Sequence, residues 1–316
     1  MTLELVAVGD STVDILIPVP RFPTANEDSV HSSGMERHMG GSSNYLIMAS
    51  RFGLRVGVAD AVGDDDLGAY YVAGLEAECV DTTHIKTRRG ERTTGCVVLL
   101  TDTGQHAYIG LEGASRTFTP AELDECYIAS AGAFFMSGYP LAEEPISGAV
   151  LKALRAAKGA GRHVFFDPSP IADAIKAEAL REAVRSTDTL ILNDRELGLV
   201  ASVLGVKPGP ESLLRLGAGT VVLKMGANGC SFHTASGSEH YPGFNVDVVD
   251  TTGAGDSFDA AIVYGTVKGW PRTDVAILAN AVGAVKVGKR GAGRNVPTLS
   301  EVREFLRERG VLPDRL

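Results

Sequence analysis

Short apolar runs alternate with segments of helical spacing from about residue 130 onward. The runs are rich in Val, Ile and Phe, and they occupy residues 133–138, 164–168, 189–193 and 220–226. The segments between them repeat apolar positions every three to four residues and end in glycine, as amphipathic helices do. Repeated strand–helix–strand units predict an α/β fold whose central, mostly parallel sheet is flanked by helices on both faces.

The first third of the chain has a different pattern. Four segments alternate polar and apolar positions, which is typical of strands in antiparallel hairpins. These segments are residues 12–19, 28–39, 84–102 and 105–111. No repeat or linker divides the sequence, so we predict a single domain over residues 1–316. A small β-strand lid would be formed by two discontinuous segments, at about 12–39 and 84–112.

Composition excludes several classes of partner. The 316 residues carry a formal net charge of −9, and the acidic residues are dispersed along the chain. Nucleic-acid binding needs a basic face, so no nucleic-acid partner is expected. No apolar stretch approaches the length of a membrane-spanning helix, and the amino-terminal residues do not resemble a signal peptide. We therefore expect no membrane partner and a cytoplasmic location.

The segment DTTGAGD, residues 250–256, directly follows strand-like residues and precedes an apolar, helix-like stretch. Glycines allow the backbone to approach a ligand, and the N–H groups at a helix start attract anions. The N–H groups of Ala254, Gly255 and Asp256 would therefore line a cavity for a phosphoryl group during transfer. An aspartate there would repel the anion, but it could accept the proton of an attacking hydroxyl group. The alternative is that Asp256 is only the N-cap of a buried helix.

Other strand ends carry polar residues in a fixed order along the chain. The segment AVGDSTVD ends a first strand, and GGSSN opens a helix at residues 40–44. Later strands end at Asp167, Asn193 and Lys224. Ligands of parallel α/β sheets bind at the carboxyl ends of the strands, so these side chains are expected to meet at one site.

This ordered set of motifs resembles the ribokinase-like sugar kinases, also called the phosphofructokinase-B type family. DTTGAGDSFDAA resembles the carboxyl-terminal signature of that family, and GGSSN with the residues after it resembles the amino-terminal signature. The resemblance covers essentially the whole chain. It implies a ribokinase-like fold and a kinase that uses ATP and Mg²⁺.

The resemblance also implies roles for individual residues. Asp256 matches the base that deprotonates the acceptor hydroxyl, and Gly253, Ala254 and Gly255 match the anion hole for the transferred phosphoryl group. The positions that hold the sugar hydroxyls are matched by Asp14, Gly40, Gly41 and Asn44. A carboxylate and an amide suit this task because they form several directional hydrogen bonds with a polyol.

The nucleotide side of the site follows from the same resemblance. Asn193 and Glu196 match an N-x-x-E element that positions the phosphates and Mg²⁺, largely through water, although Glu196 could simply be a first-turn acid. Lys224 and Gly226 match a strand end beside the phosphates and ribose. Asn280 matches a residue beside adenine, or it is an ordinary polar residue of a helix. A bound monovalent cation such as K⁺ would lie near Asp250, Thr252, Gly291 and Asn295.

The leading hypothesis is an ATP-dependent kinase that phosphorylates a hydroxyl group of a sugar. A nucleoside kinase is the close alternative, with Phe22, Met35 or Tyr108 of the lid as a shelf for the base. Arginines of the lid, at positions 88, 89 and 92, would either reach an acidic substrate or face solvent. A catalytically silent sugar-binding regulator is the alternative of another class. Open strand edges in the lid also favour a homodimer.

Overall fold

The computed structural model describes residues 2–26, 29–289 and 295–316. The predicted cation ligand Gly291 lies outside the described residues. The strands are β1 (Leu5–Val8), β2 (Ser11–Val19), β3 (Glu36–Gly41), β4 (Val56–Gly63), β5 (Asp81–Arg88), β6 (Gly95–Thr101), β7 (His106–Leu111), β8 (Ala133–Ser137), β9 (His163–Asp167), β10 (Thr189–Asn193), β11 (Thr220–Lys224), β12 (Cys230–Thr234) and β13 (Gly237–Tyr241). The helices are α1 (Ser43–Arg51), α2 (Asp66–Ala77), α3 (Glu125–Ser130), α4 (Gly138–Leu141), α5 (Ile146–Gly159), α6 (Ala177–Arg185), α7 (Asp194–Leu204), α8 (Pro210–Leu216), α9 (Ala254–Val267), α10 (Arg272–Val287) and α11 (Leu299–Glu308).

A large sheet forms the centre of the described structure. Its strands lie in the order β13-β12-β11-β10-β9-β8-β1-β4-β5. All neighbours from β11 to β5 pair in parallel, and the antiparallel pairs are β11–β12 and β12–β13 at one edge. This mostly parallel sheet confirms the predicted α/β architecture.

The large sheet is buried on both faces. On one face, Phe135 and Phe165 pack against helices that include α1, α9 and α10. On the other face, Phe134 and Phe166 pack against helices that include α5 and α6. Neighbouring residues of a strand point to opposite faces, so each Phe-Phe pair supplies both cores. This is why these strands appear as continuous apolar runs in the sequence.

A second, small sheet contains β3, β2, β6 and β7 in that order. Its strands come from the two segments in which a lid is predicted, but three details of that prediction are wrong. Residues 29–35 form no strand, and β5 belongs to the large sheet. In addition, β2 and β6 pair in parallel, because β6 enters after β4, α2 and β5 and not through a hairpin from β2. Alternation of polar and apolar residues reveals a half-buried strand but not its partner.

The two sheets are joined beside Asp10 and Gly41. Asp10 connects β1 to β2, and Gly41 is the last residue of β3. Gly41 has a φ of 56°, and a Cβ atom there would lie 2.0 Å from the carbonyl oxygen of Asp10. That carbonyl accepts a hydrogen bond from the Ser42 N–H at 3.0 Å. The glycine therefore allows two backbones to touch where the small sheet meets α1.

The carboxyl ends of β8, β9, β10 and β11 lie side by side along the large sheet. The segment before α9 differs from its prediction, because residues 246–250 form no strand and cross this edge as a loop. These residues pair with no strand, because β13 is the last strand at this edge of the large sheet. No helix in the described ranges is long and apolar enough to cross a membrane.

Replacement of Gly41 by alanine tests the contact between the two sheets. Gly53 is a matched control, because it has a φ of 94° but nothing within 4 Å of an added Cβ. Both changes add left-handed backbone strain of about 1–3 kcal/mol, but only Gly41→Ala also forces Asp10 to move. Urea unfolding should show a clearly larger loss of unfolding free energy for Gly41→Ala. Equal losses in the two variants would contradict the contact.

Candidate active site

One cavity of about 1160 Å³ lies over the carboxyl ends of the central strands, below the small sheet. It brings together most of the site residues predicted from the sequence. Those that line it are Asp14, Gly41, Asn44, Asn193, Glu196, Lys224, Gly226, Gly253, Ala254, Gly255, Asp256 and Asn280. Gly40, Asp250, Thr252 and Asn295 are not among the lining residues. The cavity therefore joins the two halves of the predicted site.

The amino-terminal end of α9 opens onto this cavity. Gly253 is the N-cap residue, and its φ of 72° is one that glycine adopts readily. The N–H group of Ala254 already donates to the carbonyl oxygen of Thr251, at 3.1 Å. Gly255 and Asp256 occupy the next two positions, where N–H groups have no partner within a helix. In this structure the Ala254 N–H is therefore engaged within the loop, whereas those of Gly255 and Asp256 lie in the first turn of α9.

Asp256 is not the N-cap, and its side chain is held by a partner distant in sequence. Asn44 Nδ2 donates a hydrogen bond to Asp256 Oδ2 at 2.9 Å, which links α1 to α9. Burial raises the pKa of Asp256 to about 6, and repulsion from Asp167 acts in the same direction. The Asn44 hydrogen bond and the Lys224 ammonium limit the rise. At neutral pH the carboxylate is therefore ionised but close to taking up a proton, which suits a general base.

Asp14 lies on β2 and faces the cavity from the small sheet. Gly40 of β3 pairs with Thr12 of β2, and a Cβ atom at Gly40 would lie 2.5 Å from Asp14 Oδ2. Gly40 thus makes room for the carboxylate, although it does not line the cavity itself. Burial raises the pKa of Asp14 to about 6, while His38 acts to lower it and Asp256 to raise it.

Asp10 is a cavity residue that the sequence motifs did not single out. It adopts a φ of 65° between β1 and β2. Burial raises the pKa of Asp10 well above its ordinary value, and Asp60, Asp256 and Asp14 all repel its charge. A carboxyl group of this kind takes up a proton readily and can then donate a hydrogen bond.

Lys224 lies among three carboxyl groups at the floor of the cavity. Its Nζ is 2.6 Å from Asp167 Oδ2, 3.4 Å from Asp259 Oδ1 and 3.8 Å from Glu196 Oε2. Burial acts to raise the pKa of Asp167, but Lys224 and hydrogen bonds hold it below its ordinary value. Burial raises the pKa of Asp259 well above its ordinary value. Asp259, which lies within the DTTGAGDSFDAA motif but received no role there, thus takes up a proton more readily than Asp167.

Asn193 and Glu196 form a reciprocal capping box at the start of α7. The Glu196 N–H donates to Asn193 Oδ1 at 2.9 Å, and the Asn193 N–H donates to Glu196 Oε2 at 2.8 Å. The first-turn interpretation of Glu196 is therefore correct as far as its hydrogen bonds go. Both residues also line the cavity, where Glu196 Oε1 and the Asn193 Nδ2 amide nitrogen are the side-chain atoms outside the capping box.

Asn280 holds the loop that follows β13. Its Nδ2 donates to the carbonyl oxygens of Tyr241 and Pro242, at 3.2 and 3.1 Å. Small residues of α10, Gly283 and Ala284, also line this end of the cavity. Because they leave space against the helix, a flat group can enter between α10 and the loop.

The part of the cavity under the small sheet is lined by Tyr108, Tyr139 and Arg116. Of the three aromatic or apolar residues proposed from the sequence as a shelf, only Tyr108 reaches the cavity. The proposed arginines do not reach it either, and Arg88 is held by Glu122 at 2.7 Å. Arg116 follows β7 in a short 3-10 helix, and no local motif marks it.

Arg116 is fixed by two acidic side chains. Its Nη1 lies 2.5 Å from Glu143 Oε1 and 3.1 Å from Glu112 Oε1. Among the cavity-lining residues in the described part of the chain, Arg116 and Lys224 carry the cationic side chains. They occupy different regions, since Arg116 lies under the small sheet and Lys224 lies at the strand ends.

Comparison with curated proteins finds relatives along nearly the whole chain. An ATP-dependent ribose-1-phosphate kinase of Halopiger xanaduensis is 33% identical over 311 residues, which cover 97% of this chain and 99% of the relative. A 2-dehydro-3-deoxygluconokinase of Bacillus subtilis is 28% identical, covering 97% and 96%. These relatives are kinases of small carbohydrate-derived acceptors.

Solved structures show the same fold. A putative ribokinase II of Escherichia coli in complex with ATP and Mg²⁺ has a TM-score of 0.84 at 24% identity, covering 97% of this chain and 99% of its own. The nucleoside kinase of Burkholderia thailandensis, in complex with inosine, has a TM-score of 0.81 at 19% identity, covering 99% and 100%. The fold is therefore ribokinase-like.

A family profile described as pfkB family carbohydrate kinase matches residues 2–299. It thus spans both sheets, the Asn44–Asp256 pair and the Lys224 cluster. The chain belongs to the pfkB family of carbohydrate kinases, and it is an ATP-dependent phosphotransferase that acts on an alcohol group of a sugar.

Proposed function

We propose that this kinase phosphorylates a sugar that carries an anionic group, with Asp256 as the general base. The observation that carries the choice of acceptor is Arg116, a fixed cation under the small sheet, where Asp14 also faces the cavity. The acceptor hydroxyl would lie against Asp256, and its neighbouring hydroxyl groups would bond to Asp14 and Asn44. An anionic substituent at the far side of the sugar would then meet Arg116.

Transfer requires one proton to leave the acceptor as its oxygen attacks the γ-phosphoryl group. Asp256 takes that proton, and the N–H groups of Gly255 and Asp256 donate to the phosphoryl oxygens. A Cβ atom at Gly255 would lie 3.7 Å from Lys224 Nζ, so the ammonium borders the same anion hole. The positive amino-terminal end of α9 and the Lys224 ammonium thus both stabilise the negative charge that develops on the phosphoryl oxygens.

The donor nucleotide would occupy the other end of the cavity. Its phosphates would run past Lys224, Gly226 and Asn193, and adenine would lie in the space beside Asn280. Magnesium prefers carboxylate oxygen together with water and substrate phosphates, and Glu196 offers a carboxylate beside Asn193. No group of three or more acidic, His or Cys side chains forms a metal cage within the described ranges. This fits Mg²⁺ that arrives with the nucleotide and is held largely through water.

Two relatives support an anionic acceptor. The Halopiger enzyme is named for ribose 1-phosphate, and the Bacillus enzyme is named for a sugar acid. Arginine pairs well with phosphate and carboxylate groups because its N–H donors form a planar fork. A phosphate or carboxylate group of the acceptor would compete with Glu143 and Glu112 for the Arg116 guanidinium.

A nucleoside acceptor is the second candidate, because two tyrosines flank the same region. Tyr108 and Tyr139 both line the cavity, with 68% and 44% of their surface exposed. Aromatic rings at these positions can stack on a planar base. The silent-regulator alternative has no such support, since the Asn44–Asp256 pair and the α9 terminus are intact.

We also propose that the small sheet acts as a lid in a homodimer of a cytoplasmic enzyme. Tyr108 and Gly110 face the cavity, so the intervening Ile109 points to the opposite face. Ile109 is paired with Val97, which is paired with Ile15, and these three form an apolar row. A second copy covering this row would bury it and leave the cavity face free to close over the acceptor.

Replacement of Asp256 by asparagine should abolish most turnover. Loss of a general base costs about 10²–10⁴-fold, so kcat should fall by that factor while Asp247→Asn, an exposed control, stays near wild type.

In the wild type, kcat/KM should fall as pH drops through about 6, because protonated Asp256 cannot accept a proton. Asp14 has a similar pKa, so the acidic limb must persist in Asp14→Asn. An unchanged kcat in Asp256→Asn would exclude the base role.

Replacement of Arg116 by glutamine tests the acceptor class. Hydrogen bonds to charged groups contribute about 1.5–3 kcal/mol, so kcat/KM for the preferred anionic acceptor should fall about 10- to 100-fold. The panel is ribose 1-phosphate, 2-dehydro-3-deoxygluconate, ribose, fructose and inosine. Arg89→Gln, an exposed arginine away from the cavity, is the control. A preference for ribose or fructose with no effect of Arg116→Gln would refute the anionic acceptor, and a preference for inosine would favour the nucleoside kinase.

Replacement of Ile109 by lysine tests the dimer surface. A buried, unpaired lysine in the apolar row would oppose association, so light scattering should report a dimer for the wild type and a monomer for the variant. Val311→Lys changes another exposed apolar residue, outside the small sheet, and should leave the dimer intact. A monomeric wild type would rule out this assembly.

A further inference from the structure

Lys286 is a fully buried lysine that the transfer mechanism does not use. It lies near the end of α10, and 0% of its surface is exposed. Lysine is almost never fully buried unless it is paired, because removing an ammonium group from water costs several kcal/mol. Burial lowers its pKa, and Asp250 opposes that change, so the ammonium and this carboxylate lie within electrostatic range of each other.

The surroundings of this ammonium favour a positive charge. Its Nζ donates a hydrogen bond to the carbonyl oxygen of Lys289 at 3.2 Å, just beyond the carboxyl-terminal end of α10. The helix dipole is negative at this end. The next residue, Val287, also accepts hydrogen bonds through its carbonyl oxygen, from the N–H groups of Val249 and Asp250 at 2.8 and 3.0 Å. Lys286 therefore lies at the end of α10, where backbone hydrogen bonds join this helix to the loop before α9.

That loop leads directly to the anion hole. Asp250 Oδ1 accepts hydrogen bonds from the Thr252 N–H and hydroxyl group, at 2.9 and 2.7 Å. Gly253, the N-cap of α9, follows at once, and the donors at Gly255 and Asp256 are in the first turn. A shift of Asp250 would therefore be transmitted along a few covalent bonds to the groups that bind the phosphoryl oxygens.

The sequence prediction places a dissolved monovalent cation in this region, near Asp250 and Thr252. We propose that the Lys286 ammonium is the resident cation here, and that it holds the 249–252 loop in place so that no dissolved cation is required. This inference rests on the proposed role of the α9 terminus in transfer. Lys286 is thus a positioning residue, since it acts on the phosphoryl group only through the loop and α9.

The test is Lys286→Met, which removes the ammonium charge but keeps most of the side-chain volume. In buffer whose only monovalent cation is choline, kcat should fall about 10²-fold, the cost of a small misplacement of reacting groups. Addition of K⁺ or NH₄⁺ should restore a large part of kcat in Lys286→Met, and it should raise the thermal midpoint of this variant. A lysine that merely fills space would give neither response.

Lys289→Met is the matched control, because Lys289 pairs with Glu301 at the surface and offers only its backbone oxygen to Lys286. It should retain wild-type kcat in choline and show no response to K⁺. The wild type alone also decides the question if Lys286→Met fails to fold. A wild-type kcat that rises about tenfold when K⁺ replaces choline would overturn the inference, a tenfold change being about 1.4 kcal/mol. Absence of turnover with every acceptor and every cation would instead refute the proposed function.

Discussion

The attraction between Lys224 and the carboxyl groups around it determines how the rest of the site is arranged. Asp167 ends β9, Glu196 lies in the first turn of α7, and Asp259 lies in the second turn of α9. Three carboxyl groups in a poorly hydrated cavity repel one another, and an ammonium at 2.6–3.8 Å offsets this repulsion. The ion cluster therefore joins two strands and two helices at the floor of the cavity, where the proposed phosphoryl transfer takes place.

The charges of this cluster also act on Asp256, the proposed base. Asp167 raises the pKa of Asp256, whereas Lys224 and Asn44 lower it. The balance leaves Asp256 as a carboxylate with a pKa of about 6, considerably more basic than an exposed aspartate. A base of this strength gains driving force for proton transfer while it remains ionised at neutral pH. Asp167 and Lys224, which belong to the ion cluster, thus also set the pKa of Asp256.

The parts of the site that could be predicted from sequence are those fixed by local spacing. The turn before α9, the Asn193–Glu196 pair and the strand end at Lys224 are each encoded within a few residues. The parallel direction of the central strands was predictable because apolar runs alternate with helices. Local signals were enough there because each element is short and its neighbours in sequence are also its neighbours in space.

Other parts depend on contacts that no local pattern encodes. Arg116 follows β7, and β7 belongs to the small sheet through β6, which pairs in parallel with the distant β2. Asp259 appears in sequence as one polar residue in an apolar helix, and only the packing of α9 brings it to Lys224. Lys286 likewise appears as a helix lysine of the usual solvent-facing kind. The tertiary contacts of all three residues are properties of the folded chain.

The division of the cavity between two sheets has a consequence for how such enzymes diversify. Asp14 and Tyr108 belong to the small sheet, whereas Lys224 and Asp256 belong to the large sheet and α9. Substitutions in the small sheet would therefore change one wall of the cavity without touching the Lys224 ion cluster. With the roles proposed above, acceptor choice and phosphoryl chemistry are separable traits, so new specificities can arise while the reaction stays the same.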